Sequence, residues 1–203
     1  MCGRFSQIMS RAELLASLPD LPQSSLDLFA EHRRSGLAPT DLAIVVASEG
    51  GRLAATPARF GFRISPTFTA INARSETVRE KAPFRRGIES GRILVPMSGF
   101  YEFSRAGRRS IAHLFSAEAG PLLVAAILDS ERSGMAILTR EAREPVSSVH
   151  GRMPVALTPE GALAWLAEAD LSGPPPAVEE RRSELSSPSR DVQGLLDLDP
   201  GAP

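Results

Sequence analysis

The chain has 203 residues, 42% of them hydrophobic and 23% charged, with one cysteine, three histidines and a formal net charge of −1, which suits one core-bearing domain with or without a tail. A single cysteine excludes an internal disulfide framework, and with three scattered histidines it gives no metal-ligand spacing. No apolar run approaches the ~20 residues of a membrane span and no signal-peptide pattern opens the chain, so the expectation is a cytoplasmic monomer with no metal, cofactor or membrane partner.

The chain opens Met1-Cys2-Gly3-Arg4-Phe5. Methionine is readily removed before a small second residue, which would leave Cys2 with a thiol and a free α-amine on adjacent carbons. An aldehyde can condense with both and close a five-membered thiazolidine, which a lysine side chain cannot do. With an α-amine pKa near 8, about a tenth of such an amine is neutral at pH 7, a few hundred times the lysine fraction. A lone cysteine near a terminus can equally be a small buried hydrophobe.

Ser10-Arg11-Ala12-Glu13 reads as a capping box opening a short helix that ends at Pro19 and Pro22. Residues 23–36 point to no particular element. Leu42–Ser48 is β-branched and apolar, a buried strand, and Gly50-Gly51 turns it into a partner over Arg52–Pro57. Phe60–Phe62 and Thr67–Ile71 are strand pieces broken by Pro66, and Thr77-Val78-Arg79-Glu80 has the form of a second capping box. Ile93–Phe103 reads as a strand pair interrupted at Ser98-Gly99, followed by strands over Ser110–Ser116, Leu122–Leu128 and Met135–Thr139. Thr158-Pro159-Glu160 caps a last helix. The expected fold is α+β: a mostly antiparallel twisted sheet or open barrel with a few peripheral helices over residues 2–170, then a Pro/Ser-rich acidic arm over 171–203 extended across it.

Charge is unevenly spread. Arg59 to Arg109 holds ten arginines and one lysine against four glutamates, a net +7, whereas Glu168 to the end carries a net −5. This is the footprint of a local anion-binding face. Within Phe100-Tyr101-Glu102-Phe103, period-two alternation sets Glu102 on the face of Phe100. If that face is inward, burial raises the carboxyl pKa and makes a general acid–base; if it is outward, Glu102 is a solvated edge residue. Asn72 could orient an amine or a sugar hydroxyl, or simply form an Asx-turn. His150 lies in a turn, where a proton shuttle and an idle solvated ring are both open readings. His113 alternates with apolar neighbours and reads as structural, and His32 as surface.

Taken together, Met-Cys-Gly-Arg-Phe, Leu37-Ala38-Pro39-Thr40, Ile71-Asn72-Ala73-Arg74-Ser75-Glu76-Thr77, Gly99-Phe100-Tyr101-Glu102, Leu138-Thr139-Arg140-Glu141-Ala142 and His150-Gly151-Arg152-Met153-Pro154 occur in this order. The chain resembles the SOS-response-associated peptidase (SRAP) family over residues 2–168. Members of that family crosslink to abasic sites in single-stranded DNA. The resemblance implies that Cys2 is the nucleophile, that Asn72 holds the ring nitrogen and sugar oxygen, that Glu102 moves protons, and that His150 helps open the sugar. It further implies that Arg4, Arg74 and Arg152 grip phosphates, that Pro39 and Thr139 lie near the strand, and that the protein is nucleoid-associated, with self-processing peptidase and lyase-type activities. The family's Trp-Gly-Leu-Ile-Pro-Ser-Trp is here Phe60-Gly61-Phe62-Arg63-Ile64-Ser65-Pro66, without either tryptophan. Phe103 and Gly151 stand where the family usually has Trp and Asp.

Two other classes compete. Met-Cys-Gly also opens glutamine amidotransferases, but those resemble one another in an Asn-Gly pair for the oxyanion hole, and the chain contains no Asn-Gly. The other is a DNA-binding module whose covalent chemistry has decayed with the tryptophans.

Overall fold

The computed structural model describes residues 2–107, 109–129, 131, 133–173 and 175–185. Strand β1 (Phe5–Gln7) leads into α1 (Arg11–Ser17), opened by the expected capping box. The Ser10 hydroxyl accepts from the Glu13 N–H at 3.2 Å and the Glu13 carboxylate accepts from the Ser10 N–H at 2.6 Å, so two orphan donors are satisfied. Residues 23–36 form α2 (Gln23–Glu31) and β2 (Arg34–Leu37). Strands β3 (Leu42–Glu49) and β4 (Arg52–Phe60) meet at Gly50-Gly51, whose φ angles of +57° and +80° favour glycine. A small hairpin, β5 (Phe62–Ser65) with β6 (Phe68–Ala70), precedes β7 (Asn72–Arg74).

The Thr77/Glu80 pattern does not open a helix. Residues 75–80 turn, the Thr77 hydroxyl is buried without a hydrogen-bond partner among the described residues, and α3 spans Ala82–Ser90 with Lys81 at its N-cap. Pro83 is the reason. A helix begun at Thr77 would carry Pro83 in its interior, where the missing N–H breaks an i→i−4 bond, whereas a start at Ala82 leaves it in the first turn.

The expected strand run follows as β8 (Arg92–Met97), β9 (Gly99–Ala106), β10 (Arg109–Ala117), β11 (Leu122–Leu128) and β12 (Gly134–Glu141). After a 3₁₀ turn at Val146–Ser148 come β13 (Arg152–Pro154), β14 (Ala156–Leu157), α4 (Pro159–Glu168), capped by the Thr158 hydroxyl, and β15 (Val178–Leu185). Part of the predicted arm is therefore a strand: β15 pairs antiparallel with β10 from Ser110↔Leu185 to Ala117↔Val178. The arm beyond residue 185 lies outside the described residues.

The larger sheet runs β13-β12-β4-β3-β8-β11-β14, and direct β11–β12 pairing closes a ring of five of these strands into a barrel. A second sheet runs β15-β10-β9-β1-β2. Most pairings are antiparallel, as expected for the α+β class, but β12 lies parallel to both β4 and β7.

Alternation decides which side chains enter the ring. Ile44, Val46, Leu123, Ala125 and Leu138 face outward onto the helices, packing with Leu14, Phe29, Ile88 and Trp165. Val45, Val95, Val124 and Ile137 face the other way and pack with Phe100, Phe115, Phe5 and Cys2. The N-terminal segment is thus tied into the inner core. Gln7 locks it there. The β3–β8 register sets Ile44 opposite Pro96, and proline has no N–H for the ladder. The buried Gln7 amide fills the gap, donating to the Ile44 and Pro96 carbonyls at 2.8 Å each and accepting from the Ile44 N–H at 2.9 Å.

Candidate functional site

Cys2, Asn72, Glu102 and His150 come from four separate parts of the chain: the N-terminal segment, β7, β9 and the turn before β13. Pairing of β1 with β9, Phe5 opposite Phe100, and the Tyr101 N–H donating to the Arg4 carbonyl at 2.8 Å bring the N-terminus against the strand that carries Glu102. Asn72 arrives through β7, parallel to β12, and its Nδ2 donates to the Cys2 carbonyl at 3.1 Å. Among the described residues its Oδ1 is buried with no hydrogen-bond partner, an acceptor held in place for a donor.

Cys2 is fully buried, and its thiol reaches the Arg4 carbonyl at 4.0 Å. Burial, reinforced by the negative charge of Glu102, pushes the thiol well above its ordinary range, so in this form it is a neutral S–H. Glu102 faces inward, at 5% exposure, which decides between the two faces the sequence left open. Burial raises its carboxyl pKa, and the nearby His150 pulls in the opposite direction. The Arg152 N–H points at His150 Nδ1 at 2.9 Å. The same nitrogen lies 3.1 Å from the Arg152 carbonyl, so the tautomer decides which of the two groups Nδ1 meets. The arrangement thus holds a carboxyl of raised pKa, an imidazole and an amide around one thiol.

The residues expected to grip phosphate are differently placed. Arg74 is exposed at the end of β7, and among the described residues its guanidinium has no hydrogen-bonding or ionic partner. Arg4 is half-buried and donates to the Gly36 carbonyl at 3.0 Å. Arg152 is occupied: it forms a fork on Glu76 at 2.7 and 2.8 Å and donates to the Thr139 carbonyl at 2.6 Å. That fork holds the Glu76 carboxyl down to about 2. Thr139 is 1% exposed and its hydroxyl touches Arg152 at 3.3 Å, so it supports the arginine from within. Pro39 is exposed on the lip of a slot of mixed polar and apolar lining. His113 is structural, as expected, clasped between the Ser104 hydroxyl at 2.7 Å and Glu180 at 2.5 Å.

Sequence reasoning missed Glu76 as the partner of Arg152, Gln7 as the lock of the N-terminal strand, and Phe68. Phe68 is a large aromatic left 58% exposed. It lines an apolar groove of about 500 Å³ that has Asn72 at one end. Its signal was present, an aromatic two residues after Pro66 in a short hairpin, but exposure was not readable. Among the described residues no group of three His, Cys, Asp or Glu side chains could hold a metal, and no helix is long and apolar enough to cross a membrane.

The model of the family described as SOS response associated peptidase (SRAP) matches residues 1–186. The chain belongs to the SRAP family. It is similar to the abasic site processing protein YedK of Escherichia coli K12, at 27% identity over 85% of this chain and 82% of the relative. It is also similar to the abasic site processing protein YoqW of Bacillus subtilis 168, at 28% identity over 82% of this chain and 80% of the relative. Among solved structures, a phage-related protein of Bordetella bronchiseptica matches with TM-score 0.68 at 25% identity, covering 92% of this chain and 95% of that one. A protein of Bacteroides thetaiotaomicron matches with TM-score 0.70 at 18% identity, over 94% and 97% of the two chains, and supports the fold alone. In this SRAP chain the two phenylalanines of the altered motif are core residues. Phe60 packs edge-on against Phe5 at 5.3 Å and Phe62 against Phe84 at 5.1 Å, which leaves Phe68 as the aromatic on the surface beside Asn72.

Proposed function

We propose that this SRAP protein captures abasic sites in single-stranded DNA through Cys2, protecting the site as a covalent adduct. The observation that carries the reading is the convergence of Cys2, Asn72, Glu102 and His150 from distant parts of the chain, with the Asn72 amide bonded to Cys2 itself. Loss of Met1 converts the Cys2 amide nitrogen into a free amine beside the thiol. In this reading any peptidase activity concerns the Met1–Cys2 bond.

His150 assists opening of the abasic sugar to its aldehyde. The Cys2 amine adds to the aldehyde carbon, and the carbinolamine hydroxyl leaves as water once it takes the Glu102 proton, while the proton shed by the nitrogen returns to the Glu102 carboxylate. The Cys2 sulfur then attacks the imine carbon, and the thiol proton ends on the ring nitrogen. One water is lost overall and a thiazolidine remains. A carboxyl whose pKa is raised by burial suits this work because it holds its proton to higher pH than an exposed carboxyl does. Asn72 Oδ1, buried and without a partner among the described residues, would accept from the new ring N–H. The relatives YedK and YoqW are named as abasic site processing proteins, and the +7 segment supplies the field for a polyanion.

The test separates amine from thiol. Processed protein mixed with an abasic oligonucleotide should give a band that survives denaturation without reductant, at the mass of protein plus DNA minus one water. Protein that retains Met1 or carries an N-terminal tag should give none. Cys2→Ala, processed to a free amine, should give a band only when borohydride reduces its imine. A tagged protein that crosslinks as well as the processed one would overturn the mechanism.

A further inference from the structure

The β5–β6 hairpin separates two cavities. Its period-two alternation sends Phe68, Ala70 and Asn72 to the apolar groove, and sends Thr69 and Ile71, together with Arg63, to a slot of mixed polar and apolar lining, about 450 Å³, on the opposite face. That volume lies within the range of small-molecule sites. The slot therefore begins one residue from Asn72. Its remaining wall includes Pro39, Thr40, Arg59 and Asp129.

Three features distinguish it from an idle surface dent. Thr40 has φ +82°, a region that β-branched residues avoid. It is fixed there by its N–H donating to the Phe60 carbonyl at 2.8 Å and its carbonyl accepting from Arg59 Nη1 at 2.6 Å. Such strain persists where the surroundings over-determine it, often at ligand clamps. Asp129 is 4% exposed. Its carboxylate accepts backbone N–H groups of Ser133 at 3.1 Å and Arg63 at 3.3 Å, and a carboxylate offers about four acceptor positions. Finally, position 134 must be glycine for the carboxylate to fit: a Cβ there would stand 2.6 Å from Asp129 Oδ2 and 2.2 Å from the Gly61 carbonyl.

We propose that this slot receives the nucleobase adjacent to the abasic sugar and that Asp129 reads it, favouring guanine. The inference rests on the reading that Asn72 holds an abasic sugar. An ionised carboxylate only accepts hydrogen bonds. Guanine is the base with two donors side by side, N1–H and the N2 amine, matching a carboxylate's two oxygens. Cytosine and adenine set an acceptor beside their amine, and thymine sets carbonyls on both sides of its N–H. Arg59 at the lip supplies a cation for the connecting phosphate. Asp129 also closes the β11–β12 turn, its N–H donating to the Gly134 carbonyl at 2.8 Å; that role by itself gives no base preference.

The experiment measures binding and crosslinking of single-stranded oligonucleotides whose abasic site is flanked, on each side in turn, by each of the four bases. On one side guanine should bind at least about fivefold more tightly than thymine, the low end for a good base contact, and the other side should be flat. Asp129→Asn retains an acceptor for the Ser133 N–H but replaces one oxygen with a donor, and should erase the guanine preference. Thr69→Phe, at an exposed position on the hairpin wall, should fill the slot and erase it too, which keeps the test decisive even if the Asp129 variant does not fold. Equal binding of all flanks by folded wild type, or a preference that survives Thr69→Phe, overturns the proposal. Flank-dependent binding without crosslinking would support the slot and refute the covalent reading, and failure to bind abasic DNA at all would refute both.

Discussion

Glu76→Gln should tighten binding to single-stranded DNA. In wild type the Arg152 guanidinium lies in a fork on the Glu76 carboxylate at 2.7 and 2.8 Å, and a phosphate must displace it. A carboxyl held down to about 2 stays ionised through neutral and mildly acid solution. The stability it adds is present above its unfolded pKa, ~4.3 for glutamate, and is lost as pH falls toward 2. Only substitution, not mild acid, unmasks Arg152. Glutamine keeps the shape and one acceptor, and Arg152 remains oriented by the Thr139 carbonyl at 2.6 Å. Glu76 is 47% exposed, so solvent screening limits the cost in stability to about 1 kcal/mol or less. Each added phosphate contact steepens the plot of log affinity against log salt by about 0.7 for a single strand. Over a fourfold rise in salt, one new contact therefore costs about 2.6-fold more affinity than in wild type. Fluorescence anisotropy titrations at several salt concentrations measure this directly. Arg152→Ala should leave the wild-type slope unchanged and make Glu76→Gln silent in that background. A Glu76→Gln protein with unchanged slope and affinity would show that Arg152 does not meet phosphate.

Three further outcomes are expected. Glu102→Gln should slow crosslinking by about 10²–10⁴ and remove the fall in rate that wild type shows as pH rises through the raised Glu102 pKa; because that carboxyl is costly to ionise when buried, the variant should also melt higher than wild type in alkaline solution and equally in acid, and a crosslinking rate within twofold of wild type would refute the assignment. Phe68→Ala should weaken binding of abasic single strands by at least about fivefold, the low end for one aromatic–base stack, with no loss in melting temperature, since the ring is 58% exposed. Gln7→Leu leaves buried Ile44 and Pro96 groups without their hydrogen bonds; at roughly 1–3 kcal/mol for each unsatisfied group, and about 2–4 °C per kcal/mol for a chain of this size, calorimetry should show a drop of about 6 °C or more.

Much of this molecule is determined locally. The capping box at Ser10, the glycine turn at residues 50–51 and the apolar alternation of β3, β11 and β12 follow from backbone sterics and burial over a few residues, so the sequence alone determined most of the elements and the α+β class. The order of short motifs likewise determined the family and singled out Cys2, Asn72, Glu102 and His150. Tertiary structure decided what depends on partners far along the chain. Whether Glu102 faces inward depends on which side of β9 the barrel covers. That Arg152 is neutralised depends on Glu76, 76 residues away, and that Gln7 bridges a strand pair depends on a proline 89 residues away. The helix at Ala82 and the edge strand β15 escaped the pattern because amphipathic stripes in short, charged segments take their stability from the surface they dock on. Alternation along one hairpin was legible from the start. Only the fold showed that its two faces look onto different cavities, since side-chain periodicity gives direction but not what lies opposite.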